Sequence, residues 1–335
     1  MAFIHKKKIG KTTYYTLRIS VREGSRVIAK DLANLGTDLS KIKIDVLEKQ
    51  FSKEIRKSHK TIKKFLDSNY YIEQTKKTKI KQEEFLNKEQ LYEIEATKTH
   101  YQKKFLKLDK KTQREIYEYF LIRFAVNSTA IEGNTITLKE ATQLFLNEKT
   151  PKNKTIREIF DLTNTKKVFY ELLKNKQKLS TELIVEIHDT LLDNIDERKG
   201  LRNHDIHIFG QPFKPTPARY VKEDLELLIN WYKENKKKIQ PIILATTFHH
   251  KFEQIHPFSD GNGRTGRMIA NHILIQEKYP PIIIDKRDRI EYLEVMNKAD
   301  KATKKNLTDI NEKYKPLLKF IVEQLKKSYW DIFLF

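Results

Sequence analysis

The chain has 335 residues, of which 33% are charged, 39% hydrophobic and 10% aromatic, enough to bury a sizeable core and too apolar to stay disordered. It has no cysteine, which excludes disulfides, thiolate zinc sites, iron–sulfur clusters and a cysteine nucleophile; nothing in it approaches the ~20 apolar residues of a membrane span, and the basic N-terminus is not followed by the apolar stretch of a secretory signal, so a soluble cytoplasmic protein with no membrane contact is expected. Lys plus Arg number 66 against 45 Asp plus Glu, a net charge of +21 that attracts polyanions such as nucleotides and nucleic acid, although lysines scattered over solvated helix faces produce the same surplus.

Few glycines and prolines, 9 of each, predict a mostly helical protein. Residues 2–36 are the exception. Thr13 to Val21 alternates and is rich in β-formers, Arg22-Glu23-Gly24-Ser25 is a turn signal, Arg26 to Leu35 is the return strand, and Gly10 supplies an earlier turn. Residues 1–37 therefore read as a small basic β module. Residues 38–108 read as a Lys/Glu-rich helical arm or linker, with Val46, Phe51 and Ile55 on one face, continued by Ile62, Phe65 and Leu66, and a polar break over 74–82. From 109 onward helical spacing is strong. Tyr117, Phe120, Leu121, Phe124 and Ala125 form a stripe, Ser180 caps a helix, Pro241 opens another, and further helices lie over 290–299 and 314–329. Gly210, Pro212, Pro215 and Pro217 mark the stretch before Tyr220 as a loop or hairpin.

The chemistry concentrates in His256-Pro257-Phe258-Ser259-Asp260-Gly261-Asn262-Gly263-Arg264-Thr265-Gly266-Arg267. One helix ends near Ile255 and the next begins near Asn262. Exposed amides at that helix start, glycines that admit a ligand, and two arginines three residues apart make an anion site. Asp260 beside phosphates is a natural magnesium ligand, and His256 a natural general base near neutral pH. Together they indicate phosphate-group transfer with a proton acceptor. Gly261-x-Gly263-x-x-Gly266 also spells a dinucleotide fingerprint, but that motif needs a preceding strand, and TTFHHKFEQI is helical in pattern. His249 and His250 read as core histidines rather than metal ligands, and Phe258 as an anchor for the loop.

The segment resembles the signature of the Fic family, HxFx(D/E)GNGRxxR, at every specified position. The resemblance covers roughly residues 109–325. Ser128-Thr129-Ala130-Ile131-Glu132-Gly133 is similar to the family's inhibitory motif, (S/T)xxxE(G/N), placed before the catalytic core. The resemblance implies a helical core over 109–335, with an inhibitory helix near 123–133 and a short β-hairpin flap over Asp205–Val221. It implies transfer of AMP from ATP to a Ser, Thr or Tyr hydroxyl of a target protein, with release of pyrophosphate. His256 would take the target's proton and Asp260 would hold Mg2+. Asn262 and the amides around Gly261 and Gly263 would cradle the α-phosphate, while Arg264 and Arg267 would hold the outer phosphates. Tyr292 matches a position near the base or ribose, or is plain core. Ile206, Ile208 and Phe209 would line the flap edge that binds the target backbone, and Ser128, Glu132 and Gly133 would hold the enzyme down. Two other readings stand beside this one: a Fic-fold enzyme with another nucleotide donor or with AMP removal as its outcome, and a nucleic-acid-associated protein that uses the basic N-terminal region. A homodimer is compatible with all three.

Overall fold

The computed structural model describes residues 1–174, 177–207, 214–301 and 309–334. It is mostly helical, with one antiparallel sheet at the N-terminus. Strands β1 (Ala2–Ile9), β2 (Thr12–Glu23) and β3 (Arg26–Gly36) lie in the order β1-β2-β3. In this register Leu17 faces Ile4 on one side and Ala33 on the other. Its side chain is fully buried and seeds a small core with Leu35, Leu39, Leu47, Ile55, Ile62 and Leu66. A three-stranded sheet this size needs such a cover, which α1 (Ile44–Ile55) and α2 (His59–Lys76) provide. The face of α1 is shifted from the expected one. Val46 is 54% exposed and Leu47 takes the core position, because Leu47, Phe51 and Ile55 follow the i, i+4, i+8 spacing of one helical face and Val46 does not.

The stretch 38–108 divides between two cores. α3 (Lys88–Lys103) belongs to the larger one through Leu91, Ile94 and Tyr101, followed by Phe105. An aromatic cluster there joins α3 to the C-terminal helix, with Phe105 at 4.9 Å from Phe333 and Tyr101 stacked on Phe105 at 5.2 Å. The remaining helices are α4 (Lys110–Ile131), α5 (Leu138–Asn147), α6 (Ile156–Lys174), α7 (Thr181–Leu191), α8 (Val221–Asn235), α9 (Pro241–Ile255), α10 (Asn262–Gln276), α11 (Arg289–Asp300) and α12 (Lys315–Ile332). Local signals place their ends: Ser180 accepts from the Leu183 N–H at 3.3 Å, Pro241 stands in the first turn of α9, and Thr137 and Glu140 form a capping box at α5. α9 is buried on almost every face and packs against α8, α10, α11 and α12. The site hangs on its C-terminal end, and its position is therefore set by a helix held from several sides. No helix among the described residues is long and apolar enough to cross a membrane.

Candidate active site

α9 stops at His256, which adopts a left-handed conformation (φ 51°, ψ 60°) rare for a residue with a side chain. The turn aims the imidazole into a cavity of about 290 Å³ lined by Glu132, Glu253, Asp260, Gly263, Arg264, Arg267 and Tyr292, together with Arg289, Leu293, Met296 and Asn297. His256 Nδ1 lies 3.2 Å from the Glu253 carbonyl oxygen. That oxygen can only accept, so Nδ1 carries the proton and Nε2 keeps a free lone pair. Burial pushes the ring down to about 4, so it is neutral at physiological pH.

The loop from Pro257 to Gly261 is held by its own side chains. Phe258 is fully buried and stacks on His188 of α7 at 3.7 Å between ring centres. His188 Nε2 in turn meets the Asp260 carbonyl at 3.1 Å. Asn262 Oδ1 accepts from the Phe258 N–H at 3.0 Å, and its Nδ2 donates to the Phe258 carbonyl at 2.8 Å. The Asn262 side chain is thus engaged in shaping the loop, and what it offers a ligand is its backbone N–H in the first turn of α10. At Gly263 an added Cβ would sit 2.3 Å from Glu132 Oε1 and 3.0 Å from Arg267 Nη1, so this position must lack a side chain for the two charged groups to meet beside it.

The arginines are both buried but differently engaged. Arg264 pairs with Asp161 of α6 and comes within 3.7 Å of Asp260, while its Nε has no partner. Arg267 is 4% exposed and donates from Nη2 to Glu132 Oε1 at 2.8 Å and to the Ser128 carbonyl at 2.9 Å, and from Nε to Ser128 Oγ at 3.1 Å. The Glu132 carboxylate stands at the end of α4, 42% exposed. Gly133 follows at φ +103°, a conformation that ends the helix there and keeps Glu132 at the cavity rim. Asp260, 37% exposed, meets Arg157 at 2.9 Å. One hard, solvent-reachable carboxylate beside an anion cradle fits Mg2+, which binds through one or two carboxylates and substrate phosphates.

The structure therefore gathers His256, Asp260, Gly261, Asn262, Gly263, Arg264, Arg267, Tyr292 and Glu132 around one cavity, with Ser128 and Gly133 behind the last. Tyr292 is buried and bonds His249 Nε2 through its hydroxyl at 2.6 Å, so it belongs to core and cavity wall at once. Ile206 is partly buried, and neither described leg of the expected flap forms a strand; Ile208 and Phe209 lie outside the described residues. Sequence reasoning missed His188, Glu253, Arg289, Leu293, Met296 and Asn297. Glu253, three residues before His256, was open to detection by helical spacing; the others carry no local signal.

Residues 178–274 match the family model described as the Fic/DOC family. The chain carries a Fic domain. It is 33% identical over 205 residues to "Protein adenylyltransferase Fic" of Aedes aegypti, an alignment covering 57% of this chain and 39% of that protein. It is 29% identical over 216 residues to "Protein adenylyltransferase fic-1" of Caenorhabditis elegans, covering 63% and 40%. The chain thus spans about two fifths of the length of these curated relatives. Among solved structures, a Fic domain-containing signalling protein from Bacteroides thetaiotaomicron superposes with a TM-score of 0.64 at 22% identity, over 70% of this chain and 94% of that one. Fic-1 (residues 134–508) from C. elegans gives 0.61 at 21%, over 87% and 86%. These two likenesses establish the fold, and the Fic domain's motif residues lie where the cavity is.

Proposed function

We propose that this protein transfers AMP from ATP to a hydroxyl side chain of a target protein and that Glu132 restrains it. The observation that carries the reading is the convergence on one cavity of a neutral His256, the N-terminus of α10 and two buried arginines. The names of the relatives support it. The acceptor oxygen would form a bond to the α-phosphorus as the bond from that phosphorus to the bridging oxygen breaks, and pyrophosphate would leave with those electrons. The acceptor's proton would pass to His256 Nε2. The amides at the start of α10, with Gly263 clear of any side chain, would face the α-phosphate, and Arg264 and Arg267 would hold the outer phosphates. Positioning and electrostatic clamping of this kind carry most of phosphoryl-type catalysis. Asp260 would hold Mg2+, whose role is to neutralise phosphate charge. Leu293, Met296 and Asn297 of α11 also line the cavity and would meet the nucleoside end. With Arg267 bound by Glu132, the outer phosphates would lose one of their two clamps and ATP would lie in an unproductive pose.

The test is incubation with α-labelled ATP and Mg2+ of wild type, Glu132→Gly and His256→Ala. Label should enter protein with Glu132→Gly above wild type and vanish with His256→Ala. A Glu132→Gly protein that labels nothing and releases no pyrophosphate would sink the proposal.

A further inference from the structure

Arg202, in the segment between α7 and α8, is 5% exposed, and its guanidinium is given wholly to backbone carbonyls. Nε donates to His256 O at 2.7 Å, Nη1 to His204 O at 2.9 Å, and Nη2 to Ile255 O at 3.2 Å and to Thr216 O. Its own N–H donates to Pro257 O at 3.0 Å. Among the described residues no carboxylate reaches it within ion-pair distance, and Asp205 is the acidic group that acts on it from further off. A buried cation without a counter-ion is costly unless its donors are all met. Here the acceptors supply the missing charge: Ile255 and His256 are the carbonyls that the end of α9 leaves without helical partners, and that end carries the negative pole of the helix.

The four acceptors come from three segments. Ile255 and His256 set the imidazole. His204 and Thr216 stand in two described legs, residues 203–207 and 214–217, and both legs lie within reach of the same planar fork. Each leg has a second tie: Asp205 Oδ1 accepts from the Ala218 N–H at 2.7 Å, and Thr216 Oγ1 donates to Asp224 Oδ2 of α8 at 2.6 Å. The Arg202 side chain therefore joins both legs to the catalytic corner. We propose that Arg202 is a positioning residue for transfer: it clasps the legs to the end of α9 and so fixes where an acceptor chain lies relative to His256 Nε2. This rests on the adenylyl-transfer reading. It predicts that loss of the clasp harms the acceptor side of the reaction and leaves the nucleotide side alone, because none of the four bonds reaches Arg264, Arg267 or the start of α10. Lysine cannot replace it, having three donors on one nitrogen where arginine presents a planar fork.

The experiment compares Glu132→Gly with Glu132→Gly/Arg202→Lys and Glu132→Gly/Arg202→Gln. Three quantities are measured: ATP affinity by calorimetry, amide hydrogen exchange over 203–207 and 214–217, and the fate of α-labelled ATP, with His256→Ala protein supplied as acceptor and AMP released to water counted separately. ATP affinity should stay within about twofold and exchange in both legs should quicken at least about tenfold. Protein labelling should fall at least about tenfold with release to water falling much less, Arg202→Gln being the more severe. Unchanged exchange would overturn the proposal. So would ATP affinity and protein labelling falling together, or loss of folding in both arginine variants, which would make Arg202 a stability residue. If the Glu132→Gly parent neither labels protein nor releases AMP, it is the adenylyl-transfer reading that fails, and the exchange arm still decides the clasp.

Discussion

Arg267 can serve the Glu132 carboxylate or a ligand phosphate, but one guanidinium fork cannot satisfy both. Removing the carboxylate should therefore raise transfer. Because Glu132 is 42% exposed, water screens the pair below the strength of a fully buried one, and activation of about ten- to a hundredfold is expected for Glu132→Gly, each tenfold being about 1.4 kcal/mol. Arg267→Ala should impair transfer by itself, and adding Glu132→Gly should not rescue it; a double variant as active as Glu132→Gly alone would refute the charge competition. His256→Ala is a cleaner deletion. The ring touches the cavity through Nε2 and anchors itself through Nδ1, so its loss should cost about 10²-fold or more in rate while ATP still binds. Parallel rate and calorimetric measurements check both halves. Glu132, Arg267 and His256 were legible in the sequence because each sits in a contiguous motif. Arg202 and His188 were not, because their work is done on main-chain atoms 54 and 72 residues away, and a backbone carbonyl leaves no mark in sequence.

Helix ends are the elements that sequence specifies best, since a cap is a contact between residues two or three apart: the starts at Ser180 and Pro241 and the break between Ile255 and Asn262 all stand where their residues predict. Which core a helix joins is a different matter. α3 is polar over much of its surface, and its apolar residues find partners on α12, more than two hundred residues on; no local pattern encodes that. The two cores nonetheless share no buried residue, which gives a prediction. Leu17→Ala empties the centre of the smaller core and should cost about 2–5 kcal/mol there, seen as an early melting transition or faster amide exchange in β1–β3. ATP affinity should be unchanged, because no residue of that core lines the cavity. A matching loss of ATP affinity would show that the sheet supports the site.

At the scale of the whole molecule, the net charge of +21 says less about behaviour than a few buried groups do. His100, His188, His249, His256 and His272 are all held below the ordinary histidine value of 6.5, burial being the largest cause in each, with His100 and His256 at about 4. Below pH 6.5 the unfolded chain takes up these protons and the native one does not, so stability must fall as pH drops from about 6.5 toward 4. Glu253 works in the opposite direction. Half-buried among His249, His256, Arg267, Glu132 and Asp300, its carboxyl is pushed up to about 8 from 4.5, loss of solvent first, with Arg267 opposing and Glu132 and Asp300 adding. From pH 4.5 upward the unfolded chain releases this proton while the native state keeps it, so its contribution is complete below 4.5 and is lost as pH rises through about 8. Between 4.5 and about 7 the histidines outnumber it and stability climbs; from there to pH 8 Glu253 acts against Lys251, whose buried ammonium is pushed down to about 8 and whose proton loss in the folded state favours the fold as pH rises. The wild-type melting temperature should therefore climb to about pH 7 and level off, and Glu253→Gln, which has no proton to lose, should go on rising to pH 8. One proton over that last interval is worth at most about 1.4 kcal/mol. Melting curves of the two proteins from pH 5 to 8 decide the matter: parallel profiles above pH 6.5 would mean that Glu253 is already ionised in the folded protein, held by Arg267 rather than by its own proton.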